Sequence, residues 1–180
     1  PCAVIFDLFA NSTDTTQSIV DYRELGRVAC EQSSRKFSLG NAGAGCGAVA
    51  GDLKGGTGSA SLSDTQSDYM VGAIAVVNSA GSPVIPGSSV FWAWPFEQQN
   101  ELGGQATPKH PDSLEPHFPR NLGPMAHTTL VAVATDAPLT SNQTKRLAIM
   151  AQDGLARALR PVHAPQDGDT VFALSTTGSS

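Results

Sequence analysis

Two adjacent hydroxyl side chains, Thr128 and Thr129, open the apolar run "TTLVAVATD" directly after a long proline-rich stretch, and an Asp-Gly-Asp step, Asp167 to Asp169, stands just before "TVFAL". A threonine hydroxyl is a weak nucleophile that needs an accompanying base; without one, both residues read as β-branched strand formers. "QDGDT" alone reads as a turn, because aspartate and glycine favour turns. It is too short for a calcium loop, which needs further oxygen ligands and a distal glutamate. The histidines His110, His117, His127 and His163 lack the i, i+4 spacing of a helical metal pair, so no metal is expected. Gly43, Gly45 and Ala48 fit G-x-G-x-x-A, but that motif needs a strand before it and a helix after it, and "VAGDLKGGTG" is a poor helix. Lys54 precedes two glycines rather than standing in the G-K-[ST] order of a phosphate loop, and a lysine in such a turn is ordinarily solvated.

The elements that must position these residues alternate between periods of 2 and 3.6, the mark of a mixed α/β chain. "CAVIFDLF" reads as a buried strand. "SIVDYRELGRVACEQ" reads as a helix with Ser18 as a possible N-cap and Ile19, Leu25, Val28 and Ala29 on one face. Eight glycines fall between Gly40 and Gly58, a density no helix interior tolerates, so sharp turns are expected there. "MVGAIAVVN" and "SPVI", separated by "SAG", read as a hairpin that leaves Asn78 at the end of its first strand. Residues 91–126 form a long connector with six prolines from Pro95 to Pro124; loops of such length are functional or disordered. "TTLVAVATD" is the next strand. A helix over "LTSNQTKRLAIMAQDGLARALRPV" follows, capped by Thr140 or Ser141, with Leu147, Met150, Ala151, Leu155, Ala158 and Leu159 facing the core. "DTVFALSTT" is the final strand.

A chain of 180 residues with 40% hydrophobic residues suits one domain with one core. Its net charge of −5, with scattered basic residues, gives no footprint for nucleic acid or an anionic membrane. Small or peptide-like partners are therefore expected. Cys2, Cys30 and Cys46 are too few and too irregular for a disulfide scaffold, which suits a reducing, cytoplasmic setting. The start at Pro1, directly before an apolar run, suggests further sequence upstream.

Taken together, "GNAGAGCGA" with "LKGGTGSAS", then "TTLVAVATDAPL", "QTKRLAIMAQDGLARALRPVH" and "DGDTVFAL" resemble, in this order, the L-aminopeptidase/D-esterase, β-peptidyl aminopeptidase and nylon-oligomer (6-aminohexanoate oligomer) hydrolase family. The resemblance covers most of the chain outside 91–126 and is most specific from Thr128 to Leu174. It implies an α/β fold of the N-terminal nucleophile type, a four-layer αββα sandwich, in a precursor that cuts itself in front of a serine or threonine. By that likeness His127 and Thr128 flank the cleavage site. Residues 1–127 are then part of an α-subunit and 128–180 the start of a β-subunit, within a single hydrolase domain (1–180) that is a fragment of a longer protein, incomplete at both ends.

The resemblance also implies roles. Thr128 is the nucleophile, and its freed α-amine, with an ordinary pKa of about 7.7–8.0, is the base. Asp167 and Asp169 are the paired acids that hold the nucleophile region and its amine. Lys54 supplies a positive charge to the nucleophile, Asn78 donates to the oxyanion, and Thr129 packs locally. His127 departs from the asparagine that several threonine-type relatives carry before the scissile bond. The implied activity is hydrolysis of peptide-like or oligoamide bonds through an acyl-enzyme, with no cofactor, in αβ units that self-associate as tetramers. The alternatives are acyl transfer to an amine, as in the ornithine acetyltransferases, and a non-catalytic domain whose glycine turn binds an anion.

Overall fold

The computed structural model describes residues 3–6, 21–106, 115 and 127–177. Helix α1 (Tyr22–Glu31) precedes a glycine-rich segment in which two short strands, β1 (Val49–Ala50) and β2 (Leu53–Lys54), pair as a ribbon. Four longer strands follow: β3 (Gly56–Ser63), β4 (Met70–Val77), β5 (Leu130–Thr135) and β6 (Thr170–Ser175), with helix α2 (Ser141–Ala158) between β5 and β6. They form one sheet in the order β3-β4-β5-β6. The first three are antiparallel and β6 runs parallel to β5, because a parallel pair needs a crossover and α2 supplies it.

β5 alternates between buried and partly buried positions, as a strand of period 2 with one face against a core must. Val131 and Val133 form that face and meet Leu155 and Leu159 from the end of α2, with Ala73, Ala75 and Val77 of β4 packed beside them. The opposite face carries Ile74 and Leu174, which remain exposed. Thr140 caps α2 by accepting from the Gln143 N–H, and the Gln143 side chain accepts from the Thr140 N–H at 2.9 Å, a capping box. No described helix is long and apolar enough to cross a membrane.

The chain is mixed α/β, as expected: the described residues contain this four-stranded sheet with α2 on one of its faces, the β1–β2 ribbon and α1. Several local expectations are corrected. Ala3–Phe6 lie in no strand, and the rest of "CAVIFDLF" falls outside the described residues. α1 is capped by Asp21, whose side chain accepts from the N–H groups of Arg23 and Glu24, and none of its residues is buried; Ser18 and Ile19 fall outside the described residues. The hairpin partner of β4 is β3, in full register from Gly56↔Val77 to Ser63↔Met70. "SPVI" makes only isolated bridges, Ser82 to Arg160 and Val84 to Phe91. Pro83 explains this, since it cannot donate to a ladder. Met150 points away from the core at 58% exposure, because it falls outside the stripe of Leu147, Ala151, Leu155 and Ala158. The connector is irregular where described, with one helical turn at Trp94–Phe96.

Leu155→Ala should destabilise the protein by about 2–5 kcal/mol, since the cavity it leaves is bounded by strand and helix backbones that cannot collapse. Thr140→Ala should cost ~1 kcal/mol through the lost cap. Chemical denaturation of the two variants checks both the magnitudes and their order.

Candidate active site

Thr128 lies two residues before β5, and the register of the sheet decides what it faces. Continuing the antiparallel pairing two residues beyond Val76↔Leu130 puts Asn78 opposite Thr128, and continuing the parallel pairing two residues before Leu130↔Thr170 puts Gly168 on its other side. The hydrogen bonds agree. The Thr128 N–H donates to the Asn78 carbonyl at 2.6 Å, the Gly168 N–H donates to the His127 carbonyl at 2.8 Å, and the Thr170 N–H donates to the Thr129 carbonyl at 2.9 Å. His127 and Asp167 form a parallel bridge. The strand therefore starts at Leu130 rather than Thr128, but its ladder continues in irregular form back to His127.

The Thr128 hydroxyl donates to the carbonyl of His127 at 2.7 Å. That oxygen thus accepts two bonds, from the hydroxyl of the next residue and from the Gly168 N–H. Room for the hydroxyl exists because residue 168 has no side chain: a Cβ there would stand 2.7 Å from Thr128 Oγ1. Among the described residues, the enclosed imidazole of His127 has no hydrogen-bond partner on either nitrogen, which costs about 1–3 kcal/mol for a buried polar group.

The two aspartates act on backbone N–H groups around this point. Asp169 Oδ1 accepts from Thr129 N at 2.8 Å, and Oδ2 accepts from His163 N at 3.2 Å and pairs with His163 Nδ1 at 2.9 Å. Its side chain is 2% exposed, so these donors offset the loss of water. Asp167 Oδ1 accepts from Ala80 N at 3.1 Å and Oδ2 from Ala164 N at 3.0 Å. One aspartate thereby fixes the residue after Thr128, and the other ties the loop after Asn78 to the loop entering β6. The same two loops touch again at Gly81, where a Cβ would stand 1.8 Å from the Pro161 carbonyl oxygen.

Asn78 is 3% exposed. Its side-chain Oδ1 accepts from Val49 N at 2.9 Å and its Nδ2 donates to Phe6 O at 3.4 Å, so the amide joins the glycine-rich segment to the site. Lys54, in β2, donates from Nζ to the Cys46 carbonyl at 2.6 Å; its hydrogen bond is with the glycine-rich turn and not with Thr128. Thr129 is fully buried and its hydroxyl has no partner among the described residues. The structure thus brings together His127, Thr128, Asp167, Asp169 and Asn78, and leaves Lys54 on the neighbouring turn. Two participants escaped the sequence reading. The Gly168 N–H is a backbone group with no composition signal, and His163 reaches Asp169 only because its backbone takes the left-handed region at φ 54°. Among the described residues, no group of three or more His, Cys, Asp or Glu side chains is arranged to hold a metal ion.

Comparison with known proteins places this geometry in a family. The chain is 39% identical over 179 residues to an uncharacterized aminopeptidase of Mycobacterium bovis, covering 98% of this chain and 50% of that protein. It is 28% identical over 183 residues to a 6-aminohexanoate-oligomer endohydrolase of Paenarthrobacter ureafaciens, covering 97% and 49%. It therefore spans about half the length of the curated relatives it matches. Among solved structures it resembles the L-aminopeptidase D-Ala-esterase/amidase of Ochrobactrum anthropi, described as a variant of the Ntn hydrolase fold, with a TM-score of 0.54, 27% identity, and coverage of 84% of this chain and 36% of that one. The model of peptidase family S58 matches residues 3–180, and with Thr128, Asn78 and the Asp-Gly-Asp step held on one sheet register, the chain belongs to that family.

Proposed function

We propose that the full-length protein is a self-processing amidohydrolase that cuts its own backbone between His127 and Thr128 and then hydrolyses peptide-like or oligoamide bonds with Thr128 as the N-terminal nucleophile. The observation that carries this reading is the 2.7 Å hydrogen bond from the Thr128 hydroxyl to the carbonyl of the residue before it. The oxygen is already beside the group it must attack. Aminopeptidase and oligoamide-hydrolase relatives support the substrate class.

In the processing step, Thr128 Oγ bonds to the His127 carbonyl carbon through a five-membered ring, and its proton passes to the Thr128 nitrogen, the leaving group. Negative charge then develops on the His127 oxygen, where the Gly168 N–H already stands at 2.8 Å; a donor placed before the reaction costs no reorganisation. The C–N bond breaks, which frees the nitrogen as the α-amine, and water opens the remaining ester. The His127 ring, enclosed without a partner among the described residues, regains water when the new C-terminus leaves, which favours opening of the site. The amine of Thr128 starts against the Asn78 carbonyl and serves as the general base.

In turnover, the Thr128 oxygen attacks the substrate carbonyl, the amine product leaves first and water releases the acid. Asp169 and Asp167 hold the backbone on both sides of the nucleophile. The Asn78 amide serves as an oxyanion donor for the substrate by exchanging its long contact at Phe6, and Lys54 contributes a positive charge from the adjoining turn. No cofactor takes part. The αβ units assemble further, as tetramers, in the cytoplasm.

The full-length wild type should run as two pieces on a denaturing gel, the second beginning Thr-Thr-Leu-Val, whereas Thr128→Ala should stay whole and Thr129→Ala should still be cut. An uncut wild type, or a cut Thr128→Ala, sinks the proposal. Gly168→Ala keeps the N–H but fills the space of the hydroxyl, which can turn about χ1 and abandon the carbonyl. Cleavage should therefore slow about tenfold or more with little change in melting temperature, as read by intact mass against time.

A further inference from the structure

We propose that His163 is a positioning residue of this site, one that fixes the carboxylate plane of Asp169 and, through it, the backbone at Thr129 beside the nucleophile. The inference rests on the self-processing reading above and adds a residue to which no role has been given.

Three observations converge on it. The backbone N–H and ring Nδ1 of His163 both reach one oxygen of Asp169, at 3.2 and 2.9 Å, while the other oxygen takes the Thr129 N–H at 2.8 Å. A carboxylate accepts and does not donate when ionised, so Nδ1 carries the proton of this contact. Asp169 is thus held at both ends, and rotation about its last bond would break contacts on each side. Second, His163 adopts φ 54°, a region that non-glycine residues occupy at a cost and in which histidine, asparagine and aspartate are enriched. That conformation is what lets the main chain and the ring turn toward the same oxygen. Third, the ring is 40% exposed while the carboxylate it touches is 2% exposed. Burial of the ring therefore does not account for its orientation. It lines a shallow cleft with Ile149, Gln152, Asp153 and Asp167, and of these only the two aspartates bring charge.

The effect must pass through Asp169. Without the ring, Oδ2 keeps one backbone donor, the carboxylate gains freedom to turn, and the Thr129 N–H loses its fixed partner. Thr128 is the next residue, and its hydroxyl has to keep its 2.7 Å approach to the His127 carbonyl for the attack to proceed.

The test separates the ring's hydrogen bond from the backbone conformation. His163→Gly and His163→Asn both accept positive φ, but only asparagine can return a side-chain N–H to the place of Nδ1. The full-length chain is synthesised without cells and its cleavage followed by intact mass, with wild type and Thr128→Ala alongside. His163→Gly should cleave about tenfold slower or more, His163→Asn within about threefold of wild type, and added imidazole should speed the glycine variant only. If the glycine variant fails to fold, His163→Gln takes its place. Its amide sits one methylene too far to repeat the Nδ1 contact, so it should be slow where asparagine is fast. Equal rates for asparagine and glycine, or for asparagine and glutamine, overturn the assignment of His163. An uncut wild type overturns the processing reading itself and this inference with it.

Discussion

The register of β5 between an antiparallel neighbour and a parallel one is the constraint on which the site depends. Thr128 faces Asn78 on one side and Gly168 on the other only because Leu130 pairs with Val76 and with Thr170. A slip of one residue would turn Val131 and Val133 away from Leu155 and Leu159, since side chains alternate faces with period 2. The same slip would take the Thr128 N–H from the Asn78 carbonyl and His127 from the Gly168 N–H. Core packing and site geometry are therefore fixed by one choice. The apolar contacts of α2 supply the energy that makes the choice unique.

Beyond the end of the regular ladder, carboxylates take over some of the backbone N–H groups. Asp169 takes the Thr129 N–H, and Asp167 takes Ala80 N on the loop that leaves β4 and Ala164 N on the loop that enters β6. Each oxygen of the pair has an N–H donor, which is the condition for keeping such groups out of water. Residues 167 and 169 stand two apart on the segment that leads into β6, and together they brace the neighbouring loops. Glycine between them leaves the Thr128 hydroxyl its place, because a Cβ there would stand 2.7 Å from Oγ1 and turn it away from the carbonyl. The Asp-Gly-Asp step is thus a brace with a gap in it, and the gap is where the hydroxyl sits.

How much of this could be read in the sequence depended on whether the signal was local. Helix α2 was legible from its stripe and its Thr140 cap, and β4, β5 and β6 from their β-branched runs. β3 was not. "GTGSASLS" has few of the residues that favour strands, and among the described residues it is the outermost strand of the sheet, defined by its partner β4 rather than by its own composition. "SPVI" reads as the hairpin partner because it follows β4 closely, whereas the strand that pairs, β3, precedes β4 across residues 64–69. Thr128, Asn78, Asp167, Asp169 and Lys54 stood out by family likeness, since a threonine at a strand head or an aspartate in a turn has an ordinary structural explanation. The structure adds what likeness could not, namely the Gly168 N–H and the His163 ring, which depend on register and on a left-handed backbone.

The placement of the bonds around His127 and Thr128 bears on how a chain could be cut here without losing its sheet. On the Thr128 side, the N–H of Thr128 is bound by Asn78, the N–H of Thr129 by Asp169 and the carbonyl of Thr129 by Thr170, and β5 follows with its full pairing. On the His127 side, the carbonyl has the Gly168 N–H and the Thr128 hydroxyl, while the imidazole has no partner among the described residues. A cut between them would leave the backbone anchors of the nucleophile in place, because they lie downstream of the broken bond or on other strands, while its hydroxyl would be released from the His127 carbonyl. Among the described residues, the departing end would give up the backbone bond from Gly168 to the His127 carbonyl and the enclosure of a ring that is better solvated outside. Rigidity is thus concentrated on the residue that would stay and is scarce on the residue that would leave, so the nucleophile could keep its position while space opened in front of it.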